Sequence, residues 1–176
     1  MCDLMERPHL FLNEFSGEDK PREFGFIVRP TLGEYNNFVH LLDKIISENI
    51  NKDFFQNEVP YETETPRGDG KIVIERKGTL SLLAEWLTEY FPVEDTASLQ
   101  HMIQVFKDIR KERQHPAHAV DENVFDQAFF RKQRDLIIQA YDGVRILRLT
   151  FADHPLVFVS EYKIHPQVRD GNIWTY

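Results

Sequence analysis

The stretch that decides the fold is Thr96–Arg113, TASLQHMIQVFKDIRKER, where apolar residues return every three or four positions at Leu99, Met102, Phe106 and Ile109. That spacing predicts a helix with one buried stripe, begun near Thr96 or Ser98 as N-cap and ended by Pro116. Extending the stripe by one more step reaches Arg113, so an arginine occupies a core-facing position. An unpaired buried guanidinium is expensive, and Arg113 must therefore meet a carboxylate, a partner surface or a cleft.

Three other segments share this periodicity. Residues 33–48 align Tyr35, Phe38, Val39, Leu42, Ile45 and Ile46, and residues 79–91 align Leu83, Trp86, Leu87 and Tyr90 before Pro92. The longest, 121–153, carries Phe125, Phe129, Leu136, Ile137, Ala140, Val144, Leu147 and Phe151, with Gly143 weakening its continuity. Between them lie strand candidates at Gly25–Arg29 and Lys71–Glu75, the second reached through the turn-rich Pro66–Gly70 and paired with Tyr61–Thr65 as a hairpin. After Pro155, Val157–Ile164 is β-branched and aromatic and reads as an edge strand. The expectation is a mainly α fold, a four-helix up-and-down-type bundle with small β decorations. It divides into an N-terminal extension with a short strand (1–32), a helical domain (33–154) and a C-terminal strand or tail (155–176).

Composition narrows the function. With 41% hydrophobic and 28% charged residues and 14 Phe, the 176-residue chain has the make-up of a globular domain with a bulky core. No apolar run approaches a membrane span and no signal-peptide pattern opens the chain, so a cytoplasmic protein without a membrane partner is expected. The single Cys2 rules out an intrachain disulfide and a cysteine zinc ribbon. A net charge of -8 argues against tight nonspecific binding to nucleic acid. The acid excess, however, sits mostly in residues 1–106, where 19 carboxylates meet 10 bases, whereas Lys107–Arg134 is net +2 and also holds His115 and His118. A transient polyanionic substrate at a local patch fits this distribution.

The string Ile109–Val120, IRKERQHPAHAV, resembles the Arg-polar-x-x-x-His signature of HEPN domains, with Arg113, Gln114 and His118 in the matching places. It is followed at family-like distance by Phe130–Tyr141, FRKQRDLIIQAY, and the resemblance covers residues 33–154. Arg110 with His115 fits the same spacing, and Arg148 with His154 fits a looser one. The resemblance implies a helical bundle whose motif acts at a homodimer seam as a metal-independent endoribonuclease, without cofactor, in a toxin or anti-phage defence setting. Arg113, Gln114 and His118 would then be the catalytic residues.

The residue types suit that chemistry. His118 can carry a proton near neutral pH, Arg113 offers a planar fork matched to phosphate oxygens, and Gln114 can orient either one. Arg110, His115, Arg131, Lys132 and Arg134 are the candidate contacts to the RNA backbone. Three blander readings stand beside these. Arg113 can be a helix-end arginine paired with an acid, His118 a capping residue, and Arg131–Arg134 a solvated helix face. The two-residue gap between His115 and His118 would fit zinc, but third and fourth ligands are not evident, so no metal is expected. The competing function keeps the fold for dimerisation or protein interaction and cuts nothing. Expected partners are transient RNA, a second copy, and an antitoxin or larger defence complex.

Overall fold

In the computed structural model, which describes residues 6–13, 25–91, 96–114, 124–158 and 163–172, the four periodic segments are four helices. They are α1 (Leu32–Asp43), α2 (Thr79–Tyr90), α3 (Thr96–Gln114) and α4 (Ala128–Ala152). The protein is mainly α, with one small antiparallel hairpin of β1 (Glu62–Pro66) and β2 (Ile72–Arg76), one residue further along than the sequence suggested. Two short helices, α5 (Pro155–Phe158) and α6 (Pro166–Asp170), follow α4.

Thr31 starts α1, its hydroxyl accepting the Glu34 N–H. The helix then changes character without stopping: Lys44–Glu48 is a π turn, so residues expected to form one regular helix form two helical types in series. A 3-10 turn, Lys52–Phe55, buries Phe54 and Phe55 completely. Helix α4 begins later than position 121. Residues 124–127 are instead held by backbone bonds to the entry of α1: Leu32 N–H donates to the Val124 carbonyl and Asp126 N–H to the Pro30 carbonyl. Asp126 then turns the chain, its carboxylate accepting the Ala128 N–H.

Two further expected strands are not found among the described residues. Gly25–Arg29 has no strand partner among the described residues, and the buried Gln133 of α4 takes that part: Ile27 N–H donates to its Oε1 and its Nε2 donates to the Gly25 carbonyl. The Glu34 carboxylate of α1 accepts the Val28 and Arg29 N–H groups, so helix side chains take the place of a neighbouring strand. After Pro155 the chain makes α5 in place of an edge strand, since proline suits the first helical position and His154 Nδ1 accepts the Leu156 N–H. Residues 159–162 of that expected strand lie outside the described residues.

The core lies between α1, α2, α3 and α4. Leu99, Met102, Phe106 and Ile109, the stripe read from sequence, are all buried. At its far end Trp86 meets Phe54 edge-on at 4.9 Å between ring centroids, and Phe91 meets Phe151 at 5.3 Å. The N-terminal segment closes this aromatic cluster. Arg7 lies over the Phe54 and Trp86 rings and forms a two-pronged bond with Glu58 (3.0 and 2.9 Å), while Trp86 Nε1 donates to the same carboxylate. The Arg7 bond, ahead of the opposing effect of burial, holds the Glu58 carboxyl below its ordinary range.

Gly143 explains why α4 runs unbroken through a residue that weakens helices. A Cβ there would stand 2.8 Å from Cε1 of Phe106, a ring buried in the core, so the missing side chain is what lets α3 and α4 close together. Gly143→Ala should therefore lower stability by about 1–3 kcal/mol through overpacking, although helix propensity alone would favour alanine by about 1 kcal/mol. Urea denaturation decides between the two, and a variant more stable than wild type refutes the close-packing account.

Candidate functional site

Arg113 is where the sequence placed it, in the last turn of α3 and one step beyond Ile109 on the buried stripe. Pairing with an acid was one of the readings open to it, but the two acids that meet it were not singled out in the sequence. Nη1 donates to Asp43 Oδ2 at 2.7 Å and also to Glu48 Oε1, while Nη2 and Nε make no hydrogen bond among the described residues. The Arg113 side chain keeps 28% of its surface exposed, Glu48 keeps 38%, and Asp43 keeps none. Of the three surroundings open to Arg113, its own chain thus supplies the first, a carboxylate. Its place on an apolar stripe no longer argues for a two-fold seam.

The π turn makes this double contact possible. In an unbroken α-helix residues 43 and 48 would point about 140° apart around the axis. The wider turn of Lys44–Glu48 swings Glu48 toward the side that Asp43 occupies, and one guanidinium amine reaches both. Thr79, the first residue of α2, fixes the turn from the other side by donating to the Ser47 carbonyl at 2.7 Å. Beneath it, Asp43 Oδ1 and Ser47 Oγ are buried without hydrogen-bond partners among the described residues. A carboxyl group so enclosed needs a close donor, and Arg113 is the residue that supplies it.

Electrostatics follow the geometry. The hydrogen bond to Arg113 is the main cause that lowers the Glu48 carboxyl below its ordinary 4.5, with burial opposing. Reciprocally, the bonds to Glu48 and then Asp43 raise the Arg113 pKa.

A second contact joins the same turn of α3 to α4. Tyr35 of α1 donates its hydroxyl to Glu112 at 3.1 Å, and its pKa is raised first by burial and then by the Glu112 charge. The Tyr35 ring stacks on Phe129 at 5.2 Å, and Lys132 Nζ lies over both rings, at 5.8 and 5.5 Å. Lys132 is thereby brought to the end of α3, together with the exposed Arg131 and Arg134 of the same helical turn. Arg110, one turn before Arg113, reaches the entry of α2, with Nη1 3.5 Å from where a Cβ on Gly78 would sit. Gln114 ends α3 and is exposed. His115 and His118 lie outside the described residues.

Asp43, Glu48, Tyr35 and Glu112 were not singled out in the sequence. Asp43 did leave a signal: it stands four residues after Val39 and eight after Tyr35, on the apolar stripe of α1, as Arg113 stands on that of α3. Two opposite charges on two buried stripes mark a pair. A surface cavity of about 380 Å³, lined by Phe26, Glu34, Asn37 and His40 among others, shares no residue with this cluster. Among the described residues no helix is long and apolar enough to cross a membrane. No family model, no curated protein and no solved structure matches the chain.

Removing either member of the Asp43–Arg113 pair should have unequal effects. Arg113→Met strands the buried carboxylate and should cost about 3–5 kcal/mol, whereas Asp43→Ala leaves Arg113 with Glu48 and water and should cost about 1–3 kcal/mol. The double variant should be less destabilised than the sum, read from denaturant midpoints; strict additivity refutes the pairing.

Glu48 adds a pH dependence. Its folded carboxyl titrates below the unfolded value of 4.5, so its contribution is complete above that pH and disappears as pH falls through the lowered folded value. Glu48→Gln should flatten this acid limb of the stability curve, and an unchanged limb removes Glu48 from the clamp.

Proposed function

We propose that the protein is a metal-independent endoribonuclease in which Arg113 and His118 act on the RNA phosphodiester, as the HEPN resemblance implies. The observation that supports this reading is the state of Arg113: one amine is fixed by two carboxylates, and the other edge of the fork stays unused among the described residues. A guanidinium held in this way loses little freedom on meeting two phosphate oxygens. Asp43 and Glu48 are then positioning residues, and their surplus negative charge keeps ground-state RNA affinity low without removing the fork. His118 takes the ribose 2′-hydroxyl proton or protonates the leaving 5′-oxygen, Gln114 orients one of the two, and Arg110, His115, Arg131, Lys132 and Arg134 follow the RNA backbone. Under this reading the protein works in the cytoplasm as a homodimer, in a toxin or defence system with an antitoxin or larger complex.

A second reading, a catalytically silent dimerisation or interaction module, is favoured by one observation. The pairing of Arg113 with Asp43 and Glu48 already accounts for its place on the stripe as a structural ion pair.

Incubation with total RNA and a defined transfer RNA in EDTA separates the two. The nuclease should leave a 2′,3′-cyclic phosphate or 3′-phosphate and a 5′-hydroxyl, and DNA should resist, because the 2′-oxygen is the nucleophile. Arg113→Lys keeps the charge and removes the fork, so the rate should fall by about 10²-fold or more with the fold intact. Wild-type rates in Arg113→Ala and His118→Ala would eliminate the site, and a folded wild type that never cuts and binds a protein partner instead would favour the interaction module.

A further inference from the structure

The hairpin is the one β element among the described residues, and neither of its strands packs against a helix. Ile72 and Ile74 are 61% and 58% exposed. Such an isolated two-stranded ribbon is marginal in water, and its two free edges differ sharply.

The pairing shows which edge is open. Lys77 N–H donates to the Tyr61 carbonyl and Arg67 N–H to the Lys71 carbonyl, so the odd-numbered residues of β2 turn their backbone groups toward β1. Ile72, Ile74 and Arg76 therefore direct theirs away from it. On the other edge the outward positions are Glu62, Glu64 and Pro66, two carboxylates and a residue with no N–H to give. The β1 edge is closed by its sequence, and the β2 edge is available.

We propose that β2 pairs antiparallel with β2 of a second copy of this chain, about a two-fold axis at Val73, to give a four-stranded sheet. In that register Ile72 and Ile74 of one chain face Ile74 and Ile72 of the other and exchange the free backbone bonds. Val73 faces its own copy, and each Lys71 faces a Glu75, so every opposed pair across residues 71–75 is apolar or of opposite charge. An axis one residue later, at Ile74, also satisfies the backbone but sets Arg76 against Ile72 and Glu75 against Val73. Charge and apolar matching together select the axis at Val73. The proposal does not depend on the ribonuclease reading, and it places a dimer contact at the hairpin, away from the α3–α4 junction.

A two-fold axis at Val73 puts the two Val73 residues in a pair that exchanges no backbone bonds, with Cα atoms about 4.5 Å apart and within disulfide reach. The two Glu75 residues are then about 13 Å apart along the strands and beyond it. In a Cys2→Ser background, Val73→Cys should form a disulfide-linked dimer at least tenfold faster than Glu75→Cys under mild oxidation. Sedimentation of the unmodified protein should show self-association with Kd on the order of 10–100 μM, as suits so small an interface. Adding Ile74→Lys to the Val73→Cys variant, with unchanged circular dichroism and melting, should abolish the Val73→Cys crosslink.

Equal crosslinking at 73 and 75, or a wild type monomeric at about 0.5 mM, overturns the proposal. So does a Val73→Cys crosslink that persists when Ile74→Lys is added, because the strands then do not meet in this register.

Discussion

A carboxylate with no exposed surface constrains this molecule more than any other single group. Asp43 sits on the core-facing stripe of α1, where an uncompensated charge would be several kcal/mol out of balance. Its partner must come from the one cationic position on the facing stripe, Arg113, and this requirement sets how far along α3 the first helix can lie. The π turn that follows is part of the same solution. It brings Glu48 onto the guanidinium and presents the Ser47 carbonyl to Thr79, so that α1, α2 and α3 are joined by polar contacts where their apolar packing ends.

The same economy of polar partners recurs elsewhere in the fold. Gln133 replaces a neighbouring strand for Gly25 and Ile27, and Asn49 does similar service for the N-terminal segment, accepting from Asn13 N–H and donating to the Asn13 carbonyl. Glu58 receives Arg7 and Trp86 together. In each case a long irregular segment is tied to the helices by one side chain that can both orient and satisfy backbone or indole donors, which is why so little sheet is required.

Structure and function pull the Arg113 cluster in different directions. As a structural cluster it joins two acids to one guanidinium amine; as a phosphate-binding device it is a cation already engaged by both of them. What keeps the second role physically open is the planarity of the fork, since an amine fixed on one side leaves the opposite edge preorganised. Tyr35 and Glu112 extend this by drawing Lys132 onto an aromatic pair beside the same helix end, so the basic turn of α4 and the end of α3 form one surface although thirteen residues separate the helices.

Periodic apolar spacing by itself determined the four helices, the buried stripe of α3 and the place of Arg113 on it, because which face of a helix is buried is written in local sequence every three or four residues. The turn-rich Pro66–Gly70 likewise determined the hairpin. Spacing could not distinguish an extended segment that pairs with a strand from one that pairs with a glutamine side chain, so Gly25–Arg29 was misread. Nor could it tell whether β-branched residues after Pro155 would extend or begin a helix. The partner of Arg113 was decided only in three dimensions. Asp43 stands 70 residues earlier, and a charge on one stripe identifies its counterpart only when the helices are laid against each other and a π turn has moved Glu48 into reach.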